Sequence, residues 1–418
     1  MTPPARTPPQ AARNQNGIAG MRRRWGVTAA VVAAGLTLAG CAASSTPVGA
    51  PPPPAASVAT PAPAASVAIT PTSTAPVSPA TPIVILAQHG TLQHVSVTDT
   101  ASGRAVLGAL TAGGTRWSST APLDYATSYT VLAEATGPGA QPTQQQATVT
   151  TITPAATAYA NVVPAPELVQ HTGIGVGQPM VFQFTAPVVN KAAIQRHLHV
   201  TTTPPQPGAW YWIDNQHVHY RSAQYWQPGT TIHIAADVYG IDVGNGVFGA
   251  ENNTADYTVH DSWIAKADGA THQLAIFHNN QQVRTMPTSL GSPTAPSHEG
   301  PHIISAKQPS IIMDSCTYGV CQGQPGYYRE RVALDERISN DGEFVHSAPW
   351  SVGQQGNSNV SHGCVNLSPT NAQWFYAHFG IGDVVDITHS GGPPLPLGDT
   401  YGDWAMPWSQ WQGGNATT

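Results

Sequence analysis

Beyond about residue 82 the apolar residues come in short alternating runs, and this spacing is what most limits the fold. Ile83-Val84-Ile85, Val95 to Thr98 and Tyr129-Thr130-Val131-Leu132-Ala133 are separated by Gly-rich turns at 112–114 and 137–139. A period of two puts alternate side chains on one face, so each run can bury half of itself only as a strand. Strands this short with turns this frequent predict a small β-sandwich over 82–152. A second is predicted over 153–259, from Val181-Phe182-Gln183-Phe184, Trp210-Tyr211-Trp212, His217 to Tyr220 and Thr231 to Ile234. The Trp and Tyr of these runs read as core. Charged residues are only 9%, against 40 Gly and 39 Pro, which suits β-modules joined by turns.

The pattern changes near 260. Segments 310–313, 343–346 and 383–388 read as strands of a third, mainly β domain over 260–388. One helix is well signalled: Ser368 is a natural N-cap, Pro369 suits the first turn, and the segment to Phe379 ends at Gly380. The tail 389–418 is rich in Gly, Pro and Trp. Trp404, Trp408 and Trp411 are expected to pack back onto the third domain.

Ahead of the sandwiches the sequence reads as a leader followed by a segment, 42–81, that cannot build a core. Arg22, Arg23 and Arg24 precede an apolar stretch, Trp25 to Ala39, of signal-peptide length, ending Leu38-Ala39-Gly40-Cys41. This resembles the lipobox of bacterial lipoproteins, which implies that 1–40 is a cleaved signal, with Met21 an alternative start, and that Cys41 is diacylated. Two acyl chains suffice for stable anchoring. The expected location is the outer face of the cytoplasmic membrane, reaching into the wall. Residues 42–81 are Pro, Ala, Ser and Thr without a charge and read, with Cys41, as an extended tether over 41–81. The formal charge is −6, and removing the five arginines of 1–40 gives −6 − 5 = −11. Such a surface argues against a nucleic-acid partner.

Four cysteines remain to be placed: Cys41, Cys316, Cys321 and Cys364. Cys316 and Cys321 are a possible disulfide in an oxidising envelope, with two free thiols as the alternative. Cys364 lies in Ser361-His362-Gly363-Cys364-Val365-Asn366. A thiol with an ordinary pKa of about 8.5 holds little thiolate at neutral pH and needs a base or cation nearby. His346 and His362 both qualify. His362 shares a side of an extended chain with Cys364, and Gly363 lets a substrate approach the backbone. Consecutive N–H groups there suit an oxyanion, and the Ser347 carbonyl is a candidate orienter for His346. The residues alone leave three readings: a nucleophile, a core cysteine, or a zinc site of His346, His362 and Cys364. No HExxH or CxxC supports zinc.

The run 361–366, with Phe344-Val345-His346-Ser347 upstream, resembles the signature of L,D-transpeptidases with a YkuD-type catalytic domain. The likeness is to the mycobacterial type, in which two immunoglobulin-like modules precede the catalytic domain. It extends over Met286 to Gly291, Ile311-Ile312-Met313-Asp314, Thr317-Tyr318-Gly319-Val320, His346 to Gly353 and Asn371 to Tyr376. The implied fold is mainly β: two tandem Ig-like sandwiches, then a β-rich catalytic domain with one helix. Neither sandwich has a cysteine, so the Ig likeness lacks the inter-sheet disulfide.

The resemblance implies that Cys364 attacks a peptidoglycan tetrapeptide stem, forms a thioester and releases D-Ala. A neighbouring stem then takes the acyl group, giving a 3→3 cross-link. His346 acts as general base and then acid, with Ser347 orienting it. Gly363 and Cys364 N–H form the oxyanion hole with Tyr328. Tyr328, Asp341, Gly342 and Asn366 contact the donor stem, while Met313, Tyr318 and Trp350 line the cleft. A lid covers about 310–333, carbapenems acylate the same cysteine, and no cofactor is implied. Asp341 stands where a small neutral residue is expected, and an acid there raises the Cys364 pKa if it lies near. Asp242-Val243-Gly244-Asn245-Gly246 echoes a calcium-holding turn, with an ordinary Asn-Gly turn as the alternative. Two other functions use the same residues differently: an L,D-carboxypeptidase or endopeptidase with water as acceptor, and a non-catalytic wall-binding lipoprotein.

Overall fold

The computed structural model describes residues 63–111, 113–138 and 141–416. The signal segment, Cys41 and most of the expected tether lie outside the described residues. Among those described, no helix is long and apolar enough to cross a membrane.

The first sandwich packs a sheet of Ser66–Thr70, Val84–Gln88, Arg116–Ser119 and Gly108–Leu110 against one of Thr91–Asp99, Ser128–Thr136 and Pro142–Thr150. Its core includes Ile83, Ile85, Trp117, Tyr129 and Val131. Ser66–Thr70 corrects the tether reading, which ran to 81. Ser-Val-Ala-Ile-Thr pairs antiparallel with Val84–Gln88, and Ile69 is buried. The surrounding Pro and Ala masked a strand because only one of its side chains, Ile69, anchors firmly.

The second sandwich joins a sheet of Gly208–Trp212, His217–Ser222, Met180–Phe184 and Ala160–Val163 to one of Leu198–Thr203, Thr231–Ala236 and Asn253–Thr258. Tyr125 and Tyr239 lock the two sandwiches: each hydroxyl donates to a carbonyl of the other module, Gly249 at 2.7 Å and Leu123 at 2.8 Å.

In the third domain a five-stranded sheet runs Gln281–Pro287, Gln273–His278, Trp263–Asp268, Val384–Thr388, Gly300–Ile303. A four-stranded sheet runs Ala306–Asp314, Arg329–Arg337, Phe344–Ser347, Val365–Leu367. Leu274, Ile276, Met286 and Val385 of the first meet Val345, Val365 and Leu367 of the second, with Ala372, Phe375 and Phe379 between them. The helix is Pro369–His378, and the Ser368 hydroxyl accepts from Asn371 N, as its capping sequence requires.

The second sandwich and the third domain share core. Ile303 and Val384 join the sandwich cluster, and Gly175 N and Gly177 N donate to Ile381 O and Gly382 O. A side chain at Gly175 would meet backbone at 2.2 Å, so this approach requires glycine. The tail corrects a second expectation. Its tryptophans pack mainly on the second sandwich rather than on the third domain. Trp411 is fully buried and stacks on Tyr211, Trp411 and Trp404 donate to Ala209 O and Gly177 O, and the Arg221 guanidinium lies over Trp404, Trp408 and Trp411. A buried guanidinium needs aromatic faces, and the tail supplies them. The tail also touches the third domain, through Leu395 N to Glu299 O, Asp399 to Asn340 N and the turn Gly402–Ala405 against Gly300–Ile303.

Candidate active site

Two parallel neighbours build the site. Phe344–Ser347 pairs with Val365–Leu367 in the register Val345 to Val365 and His346 to Asn366. Alternation sends Val345, Val365 and Leu367 into the core and brings Phe344, His346, Cys364 and Asn366 to the opposite face. There a cleft of about 300 Å³ is lined by Met313, Tyr328, His346, Trp350, His362, Cys364 and Asn366. Seven residues named from sequence therefore meet in one place. Glu330, Val332, Val360 and Ser361 also line it. The sequence reading gave none of these four a place in the cleft; for the strand residues Glu330 and Val332, nothing local marks the cleft-facing side until the partner strand is known.

The nucleophile loop is held from below. Ser361 N donates to Leu290 O, Ser292 N to Ser361 O, and Asn366 N to Ser289 O. The Met286 to Gly291 motif thus works as a clamp. The Ser361 hydroxyl accepts from Gly363 N at 3.1 Å and donates to Cys364 O at 2.7 Å. Gly363 N–H is therefore engaged within the loop, which differs from the expectation that it faces an oxyanion. Gly363 has φ +121°, a conformation that requires glycine, and a Cβ there would reach the Glu343 side chain at 3.4 Å.

Cys364 is 5% exposed, and its thiol faces Gly342 O at 3.6 Å. Burial pushes the thiol up to about 12, the Phe344 backbone N–H pulls the other way, and the charges of Glu343 and Asp341 add to the rise. Asp341 does lie near enough to disfavour the thiolate. His346 is also buried, and burial brings its ring down to about 4 against the contacts with Ser347 and Asn366. Its Nδ1 meets Ser347 O at 3.0 Å, so Nδ1 carries the proton and Nε2 keeps its lone pair. The resting pair is a neutral thiol and a neutral imidazole. His362 is exposed and sits tilted against Tyr328, with ring centroids 5.0 Å apart. Trp350 lies over His346 at 5.9 Å and is half exposed.

The lid segment is a hairpin of Ala306–Asp314 and Arg329–Arg337. Cys316 and Cys321 are disulfide-bonded at its tip. The side chain of Tyr318 lies outside what is described. Asp242, Asn245 and Gly246 lie far along the chain in the second sandwich. Asn245 and Gly246 both have positive φ and close a hairpin between Asp242–Gly244 and Val247–Gly249. The Asp242 carboxylate accepts from Gly244 N and Asn190 Nδ2, so its oxygens serve the turn itself.

A second polar cluster sits behind the Cys364 loop; of its members only Asp341 was singled out from the sequence. His298 Nδ1 lies 3.2 Å from Glu343 Oε1 and 3.6 Å from Asp341 Oδ2. His302 Nε2 lies 3.1 Å from Glu343 Oε2. The two histidines hold Glu343 down to about 2 despite its burial, and the Glu343 carboxylate raises His298. Ser297 ties the clusters together, its hydroxyl donating to Gly363 O at 2.6 Å.

The chain is similar to several known proteins. A model of the L,D-transpeptidase catalytic domain (YkuD) matches residues 262–387, and one of a bacterial Ig domain matches 74–242. L,D-transpeptidase 2 of Mycobacterium tuberculosis is 42% identical over 335 residues, covering 80% of this chain and 81% of that protein. L,D-transpeptidase 5 of the same species is 33% identical over 350 residues, 81% of this chain and 74% of the relative. Among solved structures, an L,D-transpeptidase in complex with imipenem is 32% identical with a TM-score of 0.48, covering 56% of this chain and all of that one.

Proposed function

The chain belongs to the L,D-transpeptidase family, and on that premise we propose that it forms 3→3 peptidoglycan cross-links through a thioester on Cys364. As a peptidoglycan transpeptidase it acts on stem peptides. The observation that carries the finer reading is the placement of Cys364 and His346 on one face of adjacent strands, with the His346 tautomer fixed by the Ser347 carbonyl.

The chemistry follows from the charge states. At neutral pH neither partner is ionised, so His346 Nε2 takes the thiol proton as sulfur attacks the amide carbon between diaminopimelate and the terminal D-Ala. The thiol first turns away from Gly342 O. The tetrahedral oxyanion meets Cys364 N–H and the Tyr328 hydroxyl. His346 returns the proton to the leaving D-Ala amine, and the C–N bond breaks. In the second half His346 takes a proton from the diaminopimelate side-chain amine of a neighbouring stem, which attacks the thioester and restores the thiol. Asp341, Gly342 and Asn366 contact the donor stem, Met313 and Trp350 line its path, and the stapled lid limits the acceptor's. Carbapenems acylate Cys364 by the same attack.

Incubation with disaccharide-tetrapeptide, followed by mass analysis, tests the reading. Cross-linked dimer with loss of D-Ala is the expected product; tripeptide alone would show that water is the acceptor. A carbapenem mass adduct absent from Cys364→Ala separates both from a non-catalytic wall protein. Lipid anchoring at Cys41 is proposed from the lipobox: Cys41→Ala is expected in the soluble fraction, and its retention on membranes would sink that part.

A further inference from the structure

We propose that His298, Asp341 and Glu343 form a binding site for a first-row divalent cation, best matched by zinc, behind the nucleophile loop. Their ligand atoms all lie within 4.8 Å of one another, and among the described residues no other trio of His, Cys, Asp or Glu converges this way. One imidazole nitrogen and two carboxylate oxygens are a zinc-type donor set, with the fourth position left to water. The spacing fits as well. Ligands 2.0–2.1 Å from zinc in a tetrahedron stand about 3.3 Å apart. The measured separations from His298 Nδ1, 3.2 Å to Glu343 and 3.6 Å to Asp341, bracket that value.

The groups around the trio are arranged as a metal's outer shell requires. His302 is fully buried. It holds Glu343 Oε2 through Nε2, while its Nδ1 meets Gly300 O at 2.9 Å. This leaves Oε1 aimed at His298. Ser339 Oγ donates to Asp341 Oδ1 and accepts from Glu343 N at 2.9 Å, leaving Oδ2 of Asp341 on the inner side. Asp399 faces the same place and adds negative charge, its carboxylate also accepting from Asn340 N. The Asp341 side chain is 45% exposed, which gives the ion a way in, whereas Glu343 is 6% exposed. A bound cation would cross-link the residue after Ser297 to both sides of Gly342, the residue whose carbonyl faces the Cys364 sulfur.

The test uses the full chain, stripped with EDTA and titrated with Zn²⁺ by calorimetry, with thermal unfolding followed in parallel. One saturable equivalent and an upward shift in Tm are expected. His298→Ala and Asp341→Asn should each weaken binding at least tenfold while remaining folded by circular dichroism. His302→Gln should weaken it less, and Cys364→Ser and His233→Ala should leave it unchanged. Absence of a saturable equivalent would overturn the proposal. So would an isotherm unaffected by His298→Ala and Asp341→Asn, or one abolished by Cys364→Ser, which would place the ion on the catalytic thiol.

Discussion

His346 and Glu343 stand three residues apart on one stretch of chain, both nearly out of water, yet they rest in opposite charge states. His346 has a carbonyl as its orienting partner and stays neutral, its ring brought down to about 4 by burial. Glu343 has two imidazoles and stays ionised, held down to about 2. Equal burial does not decide charge; the partner does. A carbonyl fixes an imidazole's tautomer without supplying the charge that would hold a proton on it. The pair proposed for catalysis, Cys364 and His346, is thereby kept neutral, while the cluster behind it is an ionic brace for the turn at Gly342.

The largest expected effect comes from breaking the neutral side. His346→Gln removes the general base and should slow carbapenem acylation of Cys364 by about 10²- to 10⁴-fold, read by mass spectrometry at timed intervals. Acylation at an undiminished rate would return the role to His362.

Next is a difference in pH windows, measured by denaturant unfolding of EDTA-treated protein. His346 takes a proton near 6.5 when unfolded and only near 4 when folded, so stability falls as pH drops from 6.5 to 4, by up to about 3 kcal/mol. Glu343 keeps its charge to about 2, so its contribution is complete above 4.5 and is lost between 4.5 and 2, again by about 3 kcal/mol. His346→Gln should flatten only the upper window and Glu343→Gln only the lower. A single change in both would mean the two clusters titrate as one.

The smallest effect tests their coupling. Glu343 disfavours the Cys364 thiolate, though less than burial does. Glu343→Gln should therefore raise the rate of iodoacetamide alkylation at pH 8 about two- to fivefold. An unchanged rate would mean that the brace does not reach the sulfur electrostatically.

Much of this was legible beforehand, for physical reasons. The run 361–366 carries its chemistry in consecutive residues, so Cys364, Gly363 and the shared side of His362 could be read directly. The helix at Pro369–His378 was legible because its cap and breaker are local. The strand Ser66–Thr70 was not, since a Pro- and Ala-rich segment becomes a strand only when a partner such as Val84–Gln88 offers an edge. The tail's tryptophans were visible but their target was not: Arg221 lies more than 180 residues upstream, and only folding brings it beneath them. Gly363 N–H was expected at an oxyanion and instead meets Ser361 Oγ, a contact set by the φ of the loop.

By itself the sequence determined the β-rich modular plan, the family and the candidate nucleophile, because alternation, turn residues and a six-residue motif are local properties. The tertiary structure alone decided the charge states of His346, Cys364 and Glu343. It buried His346, fixed its tautomer and left His362 exposed, and it brought His298 to Asp341 and Glu343 from more than forty residues away. Charge state depends on dielectric and neighbours, and neither exists until the chain has closed on itself.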